Sequence, residues 1–253
     1  MKYFVTADVH GFYDEWMQAL KEKQYDINNP EHKLVVCGDL FDRGTQPKQI
    51  QAFAMEMLKK DKIILIRGNH EDLALELIEN YVQYMFEIKS THHYYNGTFQ
   101  TILELTGMNY HEATTCLLAF KQRARQTDYI SKIIPQMKDY YETSKYIFVH
   151  GWIPLMPLRY EFNKDWRNAD KKLWEKARWL NPVELYNRKL YPFDKTLVLG
   201  HYSASYFWEN ENKKQGKMVK KLPCYEPFIS KEVICLDAHT VSSKKVNVIV
   251  LDD

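Results

Sequence analysis

The chain has 253 residues, 45% of them hydrophobic, which is enough to bury the core of one large domain or two small ones. Its 35 basic and 33 acidic residues nearly cancel, leaving a formal charge of +2, so bulk charge points to no polyanionic partner and argues against a nucleic-acid binder. Cys37, Cys116, Cys224 and Cys235 lack both the density of a disulfide scaffold and the paired spacing of a zinc ribbon, and read as reduced thiols in a cytoplasm.

Lys2 and Tyr3 lead straight into a first strand at residues 3–5, with no space before it for a positive leader and an apolar stretch. No later run reaches the roughly 18 apolar residues of a spanning helix, so the expectation is a cytoplasmic protein without membrane contact. A helix follows over residues 13–23, with Trp16, Met17 and Leu20 on one face, then a polar turn at Asn28, Asn29 and Pro30. A second strand at 34–37, a helix over 46–60 with Ile50, Phe53, Ala54, Met57 and Leu58 in its buried stripe, and a third strand at 63–66 repeat the pattern. This alternation predicts parallel strands with helical crossovers, an α/β fold. From 72 to 143 no strand is expected, and Leu73, Leu77, Ile78, Val82 and Met85 recur at helical intervals. That stretch reads as a helical insertion, broken at 92–97 and at Gly107, within a single domain spanning 1–253. Strands resume at 146–149 and 197–199, and 232–236 and 246–251 close the chain around a polar turn at 240–245.

The apolar runs end on side chains that bind metals. Asp8-Val9-His10-Gly11 follows the first, and period-2 alternation would put Asp8 and His10 on the same side of an extended segment. Gly38-Asp39-Leu40-Phe41-Asp42-Arg43-Gly44 follows the second. A carboxylate such as Asp39 behind a fully apolar strand is costly unless a cation neutralises it, so Asp39 reads as a ligand shared between two ions. Asp42 and Arg43 come close behind, one suited to orienting a catalytic group and the other to a bidentate phosphate contact. Asn69 then offers a neutral oxygen to a hard cation, and His70 is placed to give a proton to a leaving oxygen. Glu71 opens the next helix and reads as support. His150 and His201 end the later runs.

Simpler readings stand beside these: Asp8 as a helix cap, and Asp42 with Arg43 as a surface pair in a turn. His32, His92, His93 and His111 read as exposed or hydrogen bonded, and His239 as a pocket-lining residue without direct ligation. Tyr81, Tyr84, Tyr94, Tyr95, Tyr140 and Tyr141 read as packing in preference to an aromatic wall over the cleft. The basic run Lys213, Lys214, Lys217, Lys220 and Lys221 lacks interleaved aromatics and reads as a solvated loop, which makes nucleic acid an unfavoured partner.

Taken together, Asp8 to Gly11, Gly38 to Gly44, Gly68-Asn69-His70-Glu71, His150-Gly151 and Gly200-His201 resemble the signature of the calcineurin-like metallophosphoesterases, in the phosphoprotein phosphatase branch. The blocks occur in that family's order. The resemblance implies a four-layer sandwich, two central mixed β-sheets flanked by helices. It further implies that Asp8, His10 and Asp39 hold one metal while Asp39, Asn69, His150 and His201 hold the other, the ions being manganese first, with iron or zinc as alternatives. His70 matches the family's proton donor, Asp42 its orienting carboxylate and Arg43 its first phosphate-binding arginine. For the second such arginine, Arg178 is the choice and Lys176 the alternative.

The implied reaction is hydrolysis of phosphate monoesters by a hydroxide bridging two divalent ions, on a phosphoprotein or a nucleotide. Symmetrical bis(5'-nucleosyl)-tetraphosphatase activity is the rival: Gly200-His201-Tyr202 leans toward it, and the paired Asp42 and His70 lean toward monoesters. A catalytically inactive scaffold is the reading from a different class, and the oligomeric state stays open. Substrate recognition is expected from the insertion and from residues 152–160.

Overall fold

Short strands with apolar residues on both faces stack as two sheets, in a computed structural model that describes residues 1–157, 160–191, 194–215 and 223–253. In the first sheet β1 (Lys2–Thr6), β2 (His32–Cys37) and β3 (Ile63–Ile66) run parallel, and the last strand, β9 (Ile249–Asp252), joins β1 antiparallel, giving the order β3-β2-β1-β9. The second contains β4 (Tyr141–Glu142), β5 (Tyr146–Phe148), β6 (Thr196–Leu199), β7 (Phe228–Ile229) and β8 (Val233–Cys235) in the order β4-β5-β6-β8-β7, with β5, β6 and β8 parallel.

Alternation along each strand divides the core into three apolar layers. Val5, Val35, Cys37, Ile64 and Ile66 face Phe148, Val198 and Ile234 between the sheets. Phe4, Leu34, Val36, Ile63 and Leu65 point outward to helices α1 (Tyr13–Glu22), α2 (Pro47–Lys59) and α3 (Asn69–Tyr84). On the far side Ile147, Leu197, Leu199 and Val233 pack under α9 (Lys171–Ala177), α10 (Pro182–Asn187) and α11 (Ala204–Lys214). The result is the expected mixed α/β sandwich with helices on both outer faces.

The region after α3 forms α4 (His92–Tyr95), α5 (Thr98–Thr106), α6 (Tyr110–Thr115), α7 (Leu117–Gln126) and α8 (Ile134–Gln136), as the helical periodicity predicts. Its buried rings, Tyr81 on α3 with Phe120 at 4.1 Å and Phe99 at 6.2 Å, continue the core of the first sheet. Its end differs from the all-helical expectation. Lys138 bridges Ile66, and Tyr141–Glu142 forms β4, too short for alternation to reveal. In the closing segment the expected turn contains a helical turn, α12 (Thr240–Ser243), and the short β7 was likewise not expected. Among the described residues no helix is long and apolar enough to cross a membrane.

Arg178, just past α9, ties the two halves together. Its guanidinium is buried; Nε donates to Asp72 Oδ2 at 2.6 Å and the two terminal nitrogens donate to Asp139 Oδ1 at 2.7 Å and Asp72 Oδ1 at 3.2 Å. Asp72 lies on α3 and Asp139 just before β4, and Asp72 also pairs with Arg67 at 2.7 Å. Replacing Arg178 with alanine leaves Asp139 without its cation and Asp72 with Arg67 alone beside a buried void, so Arg178→Ala is expected to lower unfolding free energy in urea by about 3 kcal/mol, the lower end for breaking a buried pair because Asp139 keeps some access to water and Asp72 keeps Arg67.

Candidate metal centre

The parallel strands of both sheets stop at one edge, and the loops leaving them carry the candidate ligands. Beyond β1 and β2 the two loops stay zipped: Asp8 N–H donates to the Gly38 carbonyl at 3.1 Å, His10 N–H to Asp39 at 3.0 Å, Gly11 N–H to Leu40 at 3.0 Å and Gly44 N–H back to His10 at 2.7 Å. This corrects the expectation that Asp8 and His10 share the face of an extended segment. Asp8, His10, Asp39, Asp42, Arg43 and His201 all have left-handed backbones, with φ of 53°, 51°, 53°, 73°, 63° and 67°. Such conformations cost on the order of 1–3 kcal/mol each outside glycine and persist only where surrounding contacts over-determine them. Their clustering on the candidate ligands lets the loops beyond the strand ends turn these side chains toward one another.

Two glycines make the approach possible. A Cβ at Gly200 would overlap the Asp8 carboxylate, and one at Gly68 would overlap that of Asp39. The residues after them, His201 and Asn69, begin the next two candidate ligand positions, so each glycine sits where backbone and carboxylate touch.

Asp39 occupies the middle of the group. Its Oδ2 lies 3.7 Å from His10 Nε2, and its Oδ1 lies 3.4 Å from His150 Nε2. Asp8 Oδ1 is 3.9 Å from His10 Nε2, and Asn69 Oδ1 is 2.8 Å from His150 Nε2. The His150 and His201 rings are 5.0 Å apart. Ring tautomers follow from the acceptors: His10 Nδ1 faces the Phe41 carbonyl at 3.1 Å and His150 Nδ1 the Cys37 carbonyl at 2.8 Å, and a carbonyl only accepts. Both imidazoles therefore carry hydrogen on Nδ1 and turn Nε2 toward the cluster, where for His150 it faces a second acceptor, Asn69 Oδ1, at 2.8 Å; two lone pairs held this close fit two ligands of one cation. His201 is oriented by the Trp179 carbonyl, and its own N–H donates to both Asp8 oxygens at 3.0 and 3.1 Å.

Charge balance points the same way. Burial, then repulsion from Asp237 and Asp39, pushes the Asp8 carboxyl well above its usual range. Burial opposes ionisation of Asp39 too, but the imidazoles of His150 and His70 outweigh it and hold its pKa low. Like charges sharing a site divide in this way, one taking the proton. Burial lowers His10 and His150 and takes His201 down to about 3, so all three are neutral at pH 7, the form that binds metal. Two carboxylates, three neutral imidazoles and an amide oxygen thus converge, a donor set that fits divalent ions.

Beside this set lies a proton-handling pair. His70 Nδ1 is 2.8 Å from Asp42 Oδ2, and the Thr98 hydroxyl donates to the same oxygen at 2.7 Å. Arg43 Nη2 reaches His70 Nε2 at 3.1 Å, while His70 N–H donates to Asp39 Oδ1 at 3.1 Å. Burial disfavours the imidazolium, but Asp39 and Asp42 more than compensate and raise the His70 pKa. Glu71 supports rather than reacts, as expected: its buried carboxylate accepts from the N–H groups of Gly68 at 2.7 Å, Leu40 at 3.0 Å and Asp39 at 3.2 Å. Burial, then the Asp39 charge, brings its pKa up to about 7.

Several expectations need correction. Arg178 is closed off by Asp72 and Asp139, so its guanidinium is a tether and not a free phosphate contact, and Lys176 is exposed on α9. His93, read as exposed or hydrogen bonded, is fully buried with neither ring nitrogen bonded, and burial takes its pKa down to about 4. Trp152 is core and not recognition surface, its indole donating to the Leu190 carbonyl at 2.8 Å. Of the tyrosines, Tyr94 and Tyr95 line a groove of about 570 Å³ with Arg43 and His239, while Tyr81 is buried and Tyr140 stacks on Trp174 at 5.4 Å. Lys213 and Lys214 pair with Glu209 and Glu211 on α11; Lys217, Lys220 and Lys221 lie outside the described residues.

Sequence reasoning missed two contributors. Asp237 follows β8 much as Asp39 follows β2; burial raises its pKa to about 6, and its charge acts on Asp8. The same pattern of an apolar run ending in a carboxylate was available to find it. Thr98 had no such signal, being distant in the chain from the Asp42 it supports.

The family model for "Calcineurin-like phosphoesterase" matches residues 1–229. An asymmetrical bis(5'-nucleosyl)-tetraphosphatase of Bacillus velezensis is 31% identical over 98 residues, 36% of this chain and 39% of that protein. Serine/threonine-protein phosphatase 1 of Salmonella typhimurium is 36% identical over 74 residues, 29% of this chain and 31% of that protein. The chain thus spans well under half the length of these curated relatives. A solved structure titled as a putative diadenosine tetraphosphatase superposes with a TM-score of 0.52 at 14% identity, covering 99% of this chain and 89% of that one, a likeness of fold. With the match to the family model running over most of its length, the chain belongs to the calcineurin-like phosphoesterase family.

Proposed function

We propose that the chain is a dimetal phosphatase that hydrolyses phosphate monoesters, with phosphorylated proteins as its substrate class. Asp8, His10 and Asp39 would hold one ion and Asp39, Asn69, His150 and His201 the other, manganese being preferred and iron or zinc compatible with the same donors. Bound there, divalent ions supply charge neutralisation at phosphorus and acidify a water nucleophile. The described cysteines are all free, with Cys37 and Cys235 buried, which fits a reducing compartment such as the cytoplasm.

The observation that carries the monoester reading is the intact His70–Asp42 pair, 2.8 Å apart beside Asp39. Asp42 accepts from Nδ1–H and so leaves Nε2 as the atom that carries the transferable proton. When Nε2 is protonated it can no longer accept from Arg43, so protonating His70 frees the guanidinium to bind phosphoryl oxygens, coupling substrate contact to acid loading. His70 then gives its proton to the departing oxygen, which matters most for poor leaving groups. Hydrolysis of dinucleotide polyphosphates, named for several relatives in its asymmetrical form, is the second reading; the aromatic pair Tyr94 and Tyr95 beside Arg43 is the feature that favours it.

A Mn²⁺-supplemented panel of phosphopeptides, nucleotides and diadenosine tetraphosphate is expected to give the highest kcat/KM on phosphopeptides; a dominant rate on the dinucleotide would transfer the conclusion to the second reading. His70→Ala is expected to cut turnover of alkyl phosphates by about 10²–10⁴-fold and that of aryl phosphates far less, and equal losses would refute the acid role. Stripping metal with a chelator is expected to lower Tm, and restoring free Mn²⁺ to 100 times its Kd to regain about 2.7 kcal/mol for each ion bound, read by calorimetry.

A further inference from the structure

A second group of metal-ligating side chains lies outside this centre, between α3 and α4. Glu76, His92 and His93 bring one ligand atom each to within 4.8 Å of one another. His92 Nε2 is 3.6 Å from Glu76 Oε2, and His93 Nε2 is 3.9 Å from Glu76 Oε1. The histidine rings stand 4.0 Å apart. His93 supplies the independent sign of a ligand: it is fully buried, neither nitrogen has a hydrogen-bond partner, and Nε2 is aimed at the carboxylate.

We propose that Glu76, His92 and His93 form a zinc-binding site separate from the dimetal centre, tying α3 to α4. Two imidazoles and one carboxylate match the composition of three-ligand zinc sites that keep a fourth position for water. Ligands about 2.0–2.1 Å from a tetrahedral ion stand roughly 3.3 Å from one another, closer than the 3.6 and 3.9 Å carboxylate separations and the 4.8 Å that bounds the group, so side-chain rotations complete the site. Glu76 and His92 are 40% and 48% exposed at their side chains, which leaves a path for the ion from solvent. Tyr84 provides the outer support, its hydroxyl donating to Glu76 Oε1 at 2.8 Å and its ring lying edge-on to both histidines. The donors are nitrogen-rich, which favours zinc over magnesium or calcium.

Position gives the site a consequence. The chain leaving α4 passes through Gly97, which packs directly against the Arg43 backbone, into Thr98, whose hydroxyl holds Asp42. An ion joining α3 to α4 therefore braces the corner on which the His70 orienting carboxylate rests.

The test counts metal. Chelator-stripped protein is dialysed against Zn²⁺ and its zinc content measured by mass spectrometry for the wild type, Glu76→Gln, His92→Ala and Asp39→Asn. Glu76→Gln and His92→Ala alter partly exposed side chains, so circular dichroism is expected to match the wild type; His93→Ala is avoided because it opens a void in the core. Each of the two variants is expected to hold one zinc fewer per chain, with Mn²⁺-dependent phosphatase activity lowered but not abolished because the dimetal ligands are untouched. Asp39→Asn is expected to lose zinc from the dimetal centre and keep this equivalent, so the two readings fail separately. Equal zinc content in the wild type, Glu76→Gln and His92→Ala overturns the proposal.

Discussion

The burial of Asp8 and Asp39 against each other is the constraint from which the rest of the centre follows. Two carboxylates removed from water repel, and with Asp237 adding a third charge the local balance calls for cationic partners. The neutral imidazoles of His10, His150 and His201 cannot supply that charge, the guanidinium of Arg178 is committed to Asp72 and Asp139, and Arg43 and His70 offset only part of it. What remains is a pocket whose donors are all lone pairs, walled by backbone N–H groups: His70 N–H on Asp39 and His201 N–H on Asp8.

Holding those groups in place takes strain and a support network. Left-handed residues recur at Asp8, His10, Asp39, Asp42, Arg43 and His201, in loops that hydrogen-bond to each other beyond the ends of β1 and β2. Glu71 gathers three N–H groups of the Gly38 and Gly68 loops, and the Thr240 hydroxyl holds the Asp8 carbonyl at 3.0 Å. The helical segment after α3 contributes in the same way. Thr98 fixes Asp42, and Tyr94 and Tyr95 shape the groove beside Arg43, so this segment supports the chemistry as well as covering it.

Strand positions were legible because buried parallel strands are continuous apolar runs, and their ends were legible because polar ligands interrupt those runs abruptly. The helices α1 and α2 were legible from periodicity to within a residue at each end. Where the signal is short it failed: β4 and β7 have two residues each, a single period of the alternation, which leaves no room for it to repeat. Arg178 was misjudged because a motif-like sequence does not reveal its partners, and Asp72 and Asp139 become its neighbours only when α3 and β4 are brought beside α9.

From the amino-acid order alone came the fold class, the family resemblance and the side chains that meet at the sheet edge, since each depends on local patterns of polarity and on chemistry carried by single residues. Tertiary structure decided how those side chains point, which charges cancel and which histidine hydrogen faces which carbonyl. These are properties of loops in left-handed conformations and of contacts such as Thr98 to Asp42 and Arg178 to Asp72, between positions far apart along the chain, and no local pattern encodes them.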